Sequence, residues 1–295
     1  MRVFVTGATG FIGSAIVQEL IGAGHEVLGL ARSDAAAQAL VAAGARVHRG
    51  QLDDLDSLKR GAADSEGVIH TAFIHDFSNI SASGVTDRIA IEAMGEVLAG
   101  SNRPFVVTSG LAGGRVGTED ELPQEGSGPS HRLASDRATL ALASRGVRVS
   151  LLRLPPSVHG DGDHAFVPAL IGIARQKGVS AYAGEGRDAW SAVHRLDAAH
   201  LYRLALEKGQ PGAVYHGIAD EAVPTRELAE VIGRRLKVPV VSKSLEDAAG
   251  HFGWLAPFFT RDMSASSTRT RARLGWRPQR PGLLADLEHG HYFDT

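Results

Sequence analysis

A glycine turn set between a strand and a helix constrains this chain more than any other feature. Thr6-Gly7-Ala8-Thr9-Gly10-Phe11-Ile12-Gly13 follows the apolar run Val3 to Thr6 and leads into Ile12 to Ala23, where Ile16, Leu20 and Ala23 recur at helical spacing. Gly7 and Gly10 let main chain rather than side chain approach an anion, and the helix start presents unpaired N–H groups and a positive dipole end. Gly13 lets the same helix lie close to the sheet. The three glycines, with Thr9, Phe11 and Ile12 beside them, are therefore expected to hold the diphosphate of a dinucleotide.

The pattern that begins here repeats. Apolar, β-branched runs at Val3 to Thr6, Glu26 to Ala31, Arg46 to Arg49, Val68 to Thr71, Phe105 to Ser109 and Val147 to Leu154 read as strands. Between them, Ile12 to Ala23, Ala35 to Ala43, Leu55 to Ala63, a stretch ending near Leu98, and Ser135 to Ser144 read as helices. Strand and helix in alternation predict an α/β fold, a Rossmann doubly wound parallel sheet over residues 1–155. From Pro155 the rhythm changes, with a helix from Phe166 to Gln176, short strands such as Val214 to His216, and a last helix near Leu283 to Leu287. Residues 156–295 are expected to form mainly a smaller substrate lobe, with some segments returning to the Rossmann core. Gly113 to Pro129, dense in glycine, acid and proline, reads as a flap over the site.

Composition narrows the partners. A chain of 295 residues buries a core without staples, and the absence of cysteine excludes disulfides, thiolate metal sites and cysteine nucleophiles. A net charge of -2 argues against nucleic acid or anionic lipid and leaves small molecules as the expected substrates. Met1 to Thr6 run into the first strand without a tripartite leader, and no apolar run reaches membrane-spanning length, so a cytoplasmic protein without a membrane partner is expected. The histidines show no tight ligand spacing, and no metal is expected.

The second strand ends in Ala31-Arg32-Ser33-Asp34. No acid closes the strand itself, where sites preferring NAD(H) usually hold both ribose hydroxyls. Arg32 and Ser33 instead offer a guanidinium and a hydroxyl to a 2′-phosphate, which favours NADP(H) over NAD(H).

Gly7 to Gly13, Gln51 to Asp54, Val68-Ile69-His70-Thr71-Ala72, Val107-Thr108-Ser109-Gly110 and Arg153 to Gly160 together resemble the short-chain dehydrogenase/reductase superfamily. The nearest likeness is to its extended or atypical branch, the NAD-dependent epimerase/dehydratases, and spans almost the whole chain. Trp190 to Asp197 and Leu274-Gly275-Trp276-Arg277-Pro278 resemble that branch's later elements. The resemblance implies that Gln51 and Leu52 edge the adenine, that Ala72 and Phe73 line the path to the nicotinamide, and that Pro155, Ser157 and Val158 also meet the cofactor. It places Ser109 at the catalytic serine and implies a homodimer.

One departure bears on chemistry. The family protonates a carbonyl oxygen with a tyrosine, followed four residues later by a lysine, whereas here the tyrosines are Tyr182, Tyr202, Tyr215 and Tyr292. Counted back from Asp136, Arg132 stands at the lysine position and Gly128 at the tyrosine position. A guanidinium suits an oxyanion and a ribose but is a poor acid, so His75 beside Asp76, or His131, is the expected proton donor. His159 and His164 fall near the cleft, with His159 read as a wall residue; His194 reads as packed and Asp197 as a helix cap. Trp190, Phe166, Tyr182 and Trp254 are candidates for an aromatic substrate wall. An NADP(H)-dependent oxidoreductase on a small organic substrate is the first expectation. An epimerase, dehydratase or lyase, and a non-catalytic NADP(H) sensor, are the alternatives.

Overall fold

The computed structural model describes residues 1–76, 79–111, 117–121 and 132–294. His131, Gly128 and most of the segment from Gly113 to Pro129 lie outside the described residues. The N-terminal half runs β1 (Arg2–Thr6), α1 (Phe11–Gly22), β2 (Glu26–Ala31), α2 (Asp34–Ala42), β3 (Arg46–Arg49), α3 (Leu55–Ala63), β4 (Gly67–His70), α4 (Ile80–Leu98), β5 (Pro104–Gly110), α5 (Leu133–Ala141) and β6 (Arg148–Leu154). It continues through β7 (Ser157–His159), α6 (Phe166–Lys177), β8 (Ser180–Ala183), β9 (Ala189–His194), α7 (Arg195–Lys208), β10 (Ala213–His216) and β11 (Asp220–Pro224). The remainder is α8 (Thr225–Leu236), β12 (Val240–Lys243), α9 (Leu245–Phe252), α10 (Ala256–Phe259), α11 (Thr268–Leu274) and α12 (Leu283–His289).

Seven strands pair in parallel in the order β10-β6-β5-β4-β1-β2-β3. Successive side chains of a strand point to opposite faces, and both faces here are covered, so the strands read as continuous apolar runs rather than alternating ones. Val3, Val5, Val106 and Leu152 pack under α1 and α7 with Ile16, Leu20 and Tyr202. Phe4, Phe105, Val107 and Leu151 pack under α3 and α4 with Leu58 and Met94. Strand order reverses between β1 and β4, and the crevice beyond the carboxyl ends at such a switch point is where an open α/β sheet binds its ligand.

Val214 to His216, read as a short strand after Pro155, is part of β10, the edge strand of the main sheet, with Val214 opposite Leu151. Helix α7 carries the chain back across the sheet, burying Leu201, Tyr202 and Ala205 against it. The sheet β11-β9-β7 and the pair β12-β8 instead join α6, α8, α9 and α10 around a separate cluster that includes Leu170, Trp190, Leu228, Phe252 and Phe259. Among the described residues no helix is long and apolar enough to cross a membrane.

Candidate active site

The glycine turn has the geometry its residues dictate. Gly7 sits at φ 68°, and a Cβ there would lie 2.7 Å from the Ala72 amide nitrogen, so the turn and the segment after β4 touch. A Cβ on Gly13 would lie 2.0 Å from the Gly7 carbonyl oxygen. Helix α1 therefore starts tight against the turn, behind an extended Gly10 that offers no side-chain cap. Its first N–H groups have no acceptor within the helix and open past the exposed Thr9 and Gly10, with Phe11 and Ile12 half-buried beside them. This donor set suits a diphosphate.

At the ends of β2 and β3, Asp34 is paired with Arg49 at 2.6 Å, while the exposed Arg32 has no carboxylate partner among the described residues. Ser33 caps α2, its hydroxyl accepting from the Ala36 amide at 3.2 Å. Gln51 is exposed and Leu52 half-buried just past β3.

Arg132 stands at the N-cap of α5 with its guanidinium 3.6 Å over the Phe73 ring. Its Nη1 donates to the Thr108 carbonyl at 3.3 Å and to Asp87 Oδ2 at 3.2 Å. His75 meets the same Phe73 ring edge-on, 5.2 Å between centroids. Desolvation and the nearby Arg132 charge hold the His75 imidazole below the usual histidine value, with His164 adding to the effect. His164 in turn packs against Phe11 of the glycine turn at 5.8 Å. Of the residues singled out in the sequence, Phe73, His75 and Arg132 are thus brought together, and His164 borders them.

Ser109 follows Thr108 on β5, and its side chain is buried on the α5 side of the sheet. Ser109, Arg153 and His216 face each other in register across β5, β6 and β10, on the α5 side, and all three are buried. Asp136 of α5 meets Arg153 there, Oδ2 to Nε 3.8 Å. Burial pushes the Asp136 carboxyl up to about 6, against the opposing pull of the Ser109 hydroxyl and of Arg153. That influence of Ser109 is one of proximity, since its Oγ makes no hydrogen bond of normal geometry among the described residues.

Several expected roles are corrected. Trp190 is not a cleft wall: it is wholly buried, its Nε1 donating to the Phe258 carbonyl at 2.7 Å. Phe166 and the half-exposed Trp254 pack edge-on at 5.6 Å. His194 rather than Asp197 caps α7, accepting from the Leu196 amide. Asp197 is buried and takes the amides of Gln279 and Arg280 at 3.0 and 2.9 Å, which ties the Trp276 segment to the core. His159 is buried against Asp286 at 2.7 Å. Pro155 and Ser157 are buried and Val158 is half-buried where β6 passes into β7. Tyr202 and Tyr215 are wholly buried, and the Tyr202 hydroxyl donates to Thr108 Oγ1, which itself donates to the His70 carbonyl.

Sequence reasoning missed Asp87. It lies wholly buried on the stripe of α4 that carries Ser83, Ala90, Ile91 and Met94, and an acid on such a stripe is the signal that was available. Its Oδ1 accepts from His70 Nε2 at 3.2 Å, and His70 Nδ1 is 2.7 Å from Thr6 Oγ1.

The chain is similar to known proteins along most of its length. An uncharacterized protein of Schizosaccharomyces pombe is 53% identical over 99% of this chain and 100% of its own length. The 4-hydroxy-2-methyl-3-oxo-4-farnesyl-3,4-dihydroquinoline-1-oxide ketoreductase of Stigmatella aurantiaca is 27% identical over 86% of this chain and 80% of its own. The structure of dTDP-glucose 4,6-dehydratase from Streptomyces venezuelae superposes with a TM-score of 0.76 at 22% identity, covering 98% of this chain and 95% of that one. The family model for NAD dependent epimerase/dehydratases matches residues 3–216, from the first strand through the glycine turn and the Arg132 cleft to the last strand of the sheet. The chain belongs to that NAD dependent epimerase/dehydratase family.

Proposed function

We propose that the protein is an NADP(H)-dependent oxidoreductase, of carbonyl reductase or alcohol dehydrogenase type, acting on a small organic substrate, with His75 as proton donor in place of the usual tyrosine. The observation that carries this is the convergence of Arg132 and His75 on Phe73, in the segment after β4 that abuts the glycine turn. Bound along that turn, a reduced nicotinamide supplies hydride chemistry to a carbonyl carbon. Arg132, whose Nε and Nη2 have no acceptor among the described residues, would hold the developing oxyanion and the ribose of a bound nicotinamide. His75 gives that oxygen its proton and yields the alcohol, or takes the proton in the reverse direction. Ser109, at the catalytic serine's place, is buried beside Asp136, so the guanidinium carries more of the task of fixing the oxygen.

Preference for NADP(H) rests on Arg32, which has no carboxylate partner among the described residues while its neighbour Asp34 is neutralised by Arg49. The kinship with a ketoreductase points the same way on reaction type. The family description and the dehydratase fold favour a second reading, an epimerase, dehydratase or lyase that retains its cofactor.

The test is a fluorescence titration with NADPH and, separately, NADH. NADPH at least tenfold tighter, about 1.4 kcal/mol, with the advantage lost in Arg32→Ala, supports the assignment. Equal affinities retire Arg32 as the selector, and binding of neither sinks the oxidoreductase reading. Oxidised cofactor retained through purification favours the second reading.

A further inference from the structure

Four buried or half-buried side chains between the glycine turn and α5 make one connected chain. Asp87 is wholly buried, yet its two oxygens are divided, Oδ1 to His70 Nε2 at 3.2 Å and Oδ2 to Arg132 Nη1 at 3.2 Å. His70, also buried, reaches Thr6 Oγ1 at 2.7 Å, and that oxygen accepts from the Ala72 amide at 3.3 Å. One histidine tautomer satisfies every member. The acceptor-only carboxylate requires the proton on Nε2, so Nδ1 accepts from the Thr6 hydroxyl. The chain thus runs from the Ala72 N–H through Thr6 and His70 to Asp87, where the guanidinium meets it from the other side.

We infer that Asp87 is a positioning residue for Arg132: through His70 and Thr6 it anchors the guanidinium to the segment that abuts the glycine turn. The inference rests on the reading that Arg132 meets the nicotinamide ribose. Two features of the geometry carry it. Arg132 is one-fifth exposed and stacks on a half-buried ring, so without Asp87 its long side chain has, among the described residues, only the Thr108 carbonyl as a hydrogen-bond partner. Asp87 reaches no cleft surface of its own, and its polar contacts are otherwise interior ones. Although burial opposes ionisation, His70 and Arg132 keep its carboxyl below the usual aspartate range, as an anchor for a cation requires.

A double-mutant cycle on NADPH affinity, read by fluorescence titration, separates positioning from mere support. Wild type, Asp87→Asn, Arg132→Ala and the double variant are titrated with NADPH after thermal melting has shown each to be folded. His70→Phe replaces Asp87→Asn in the cycle should the carboxamide prevent folding. We expect each single change to weaken binding at least fivefold and the double variant to bind no worse than Arg132→Ala within a factor of two. Losses that multiply, or an Asp87→Asn variant that binds like wild type while Arg132→Ala is weakened, overturn the inference and leave the role of Arg132 standing. Arg132→Ala binding like wild type overturns both.

Discussion

Replacing Gly13 by alanine tests the glycine turn with a magnitude the structure supplies. The added Cβ would sit 2.0 Å from the Gly7 carbonyl oxygen, 2.8 Å from the Gly7 carbonyl carbon and 3.1 Å from Ala8 Cα. All three are backbone atoms, so no rotamer change relieves the clash. Opening the gap to the 3.2 Å that a Cβ at Gly10 would have from the same oxygen moves the helix start by about 1 Å. Overpacking of this kind costs about 1–3 kcal/mol, and a backbone clash belongs at the upper end. Alanine's advantage over glycine in a helix, about 1 kcal/mol, offsets part of it. The net is a loss of roughly 2 kcal/mol. For 295 residues the entropy of unfolding is about 0.6 kcal/mol/K, so the melting temperature should fall by about 3 °C. NADPH affinity should fall at least about tenfold, because the N–H groups that face the diphosphate move with the helix. The measurements are a calorimetric melt and a fluorescence titration. A variant that melts with wild type and binds NADPH as tightly would show that the turn is neither as tight as described nor the diphosphate site.

Two further outcomes follow from the titratable groups near Arg132 and Arg153. Carbonyl reduction, with a substrate drawn from an NADPH-consumption screen, should accelerate as pH falls through a value below the ordinary histidine 6.5, and His75→Phe should flatten that profile; an unchanged profile removes His75 as donor. Arg153→Met should destabilise by roughly 3 kcal/mol near neutrality, because Asp136 is left buried with its charge unpaired. A carboxyl raised to about 6 favours the folded state below its unfolded value and loses that advantage as pH rises, so the penalty should shrink in denaturant melts at lower pH. A penalty that grows on acidification would contradict the pairing.

The N-terminal half was legible because local pattern and tertiary role coincide. Glu26 to Ala31 and Leu55 to Ala63 stand where an apolar run and helical spacing put them, since the inner strands of the sheet are covered on both faces. β10 was harder: four residues at a sheet edge carry no register signal, and only the crossing of α7 shows which sheet they join. Asp197 misled because an aspartate near a helix start suits a cap, while its real partners, the amides of Gln279 and Arg280, lie more than eighty residues away. Trp190 was ambiguous by type, for a large aromatic fills a core as readily as it walls a cleft. The nearness of His75 to Arg132 needs the fold, since α5 and the segment after β4 meet only across the sheet end. Asp87 shows the opposite limit: its place on an apolar stripe was readable, but its partners His70 and Arg132 come from two other elements.

The electrostatics around Arg132 then bear on the proposed proton donor. Burial holds the proton on Tyr202, whose hydroxyl is spent on Thr108 behind β5, so it does not serve the cleft. A tyrosine donor works because a neighbouring cation lowers its pKa toward neutrality; the same cation beside a histidine acts in the other direction on usefulness, since imidazole is already neutral near pH 7 and Arg132 makes it more so. The pair therefore presents a permanent cation and a neutral base at neutral pH. That combination suits an alcohol: the base accepts its proton while the guanidinium steadies the alkoxide. Reduction needs the imidazolium and is favoured by acid, or by a substrate whose own negative charge restores the histidine proton. A substrate carrying a carboxylate near its carbonyl would do so, and should shift the reductive profile toward neutral pH relative to an uncharged ketone.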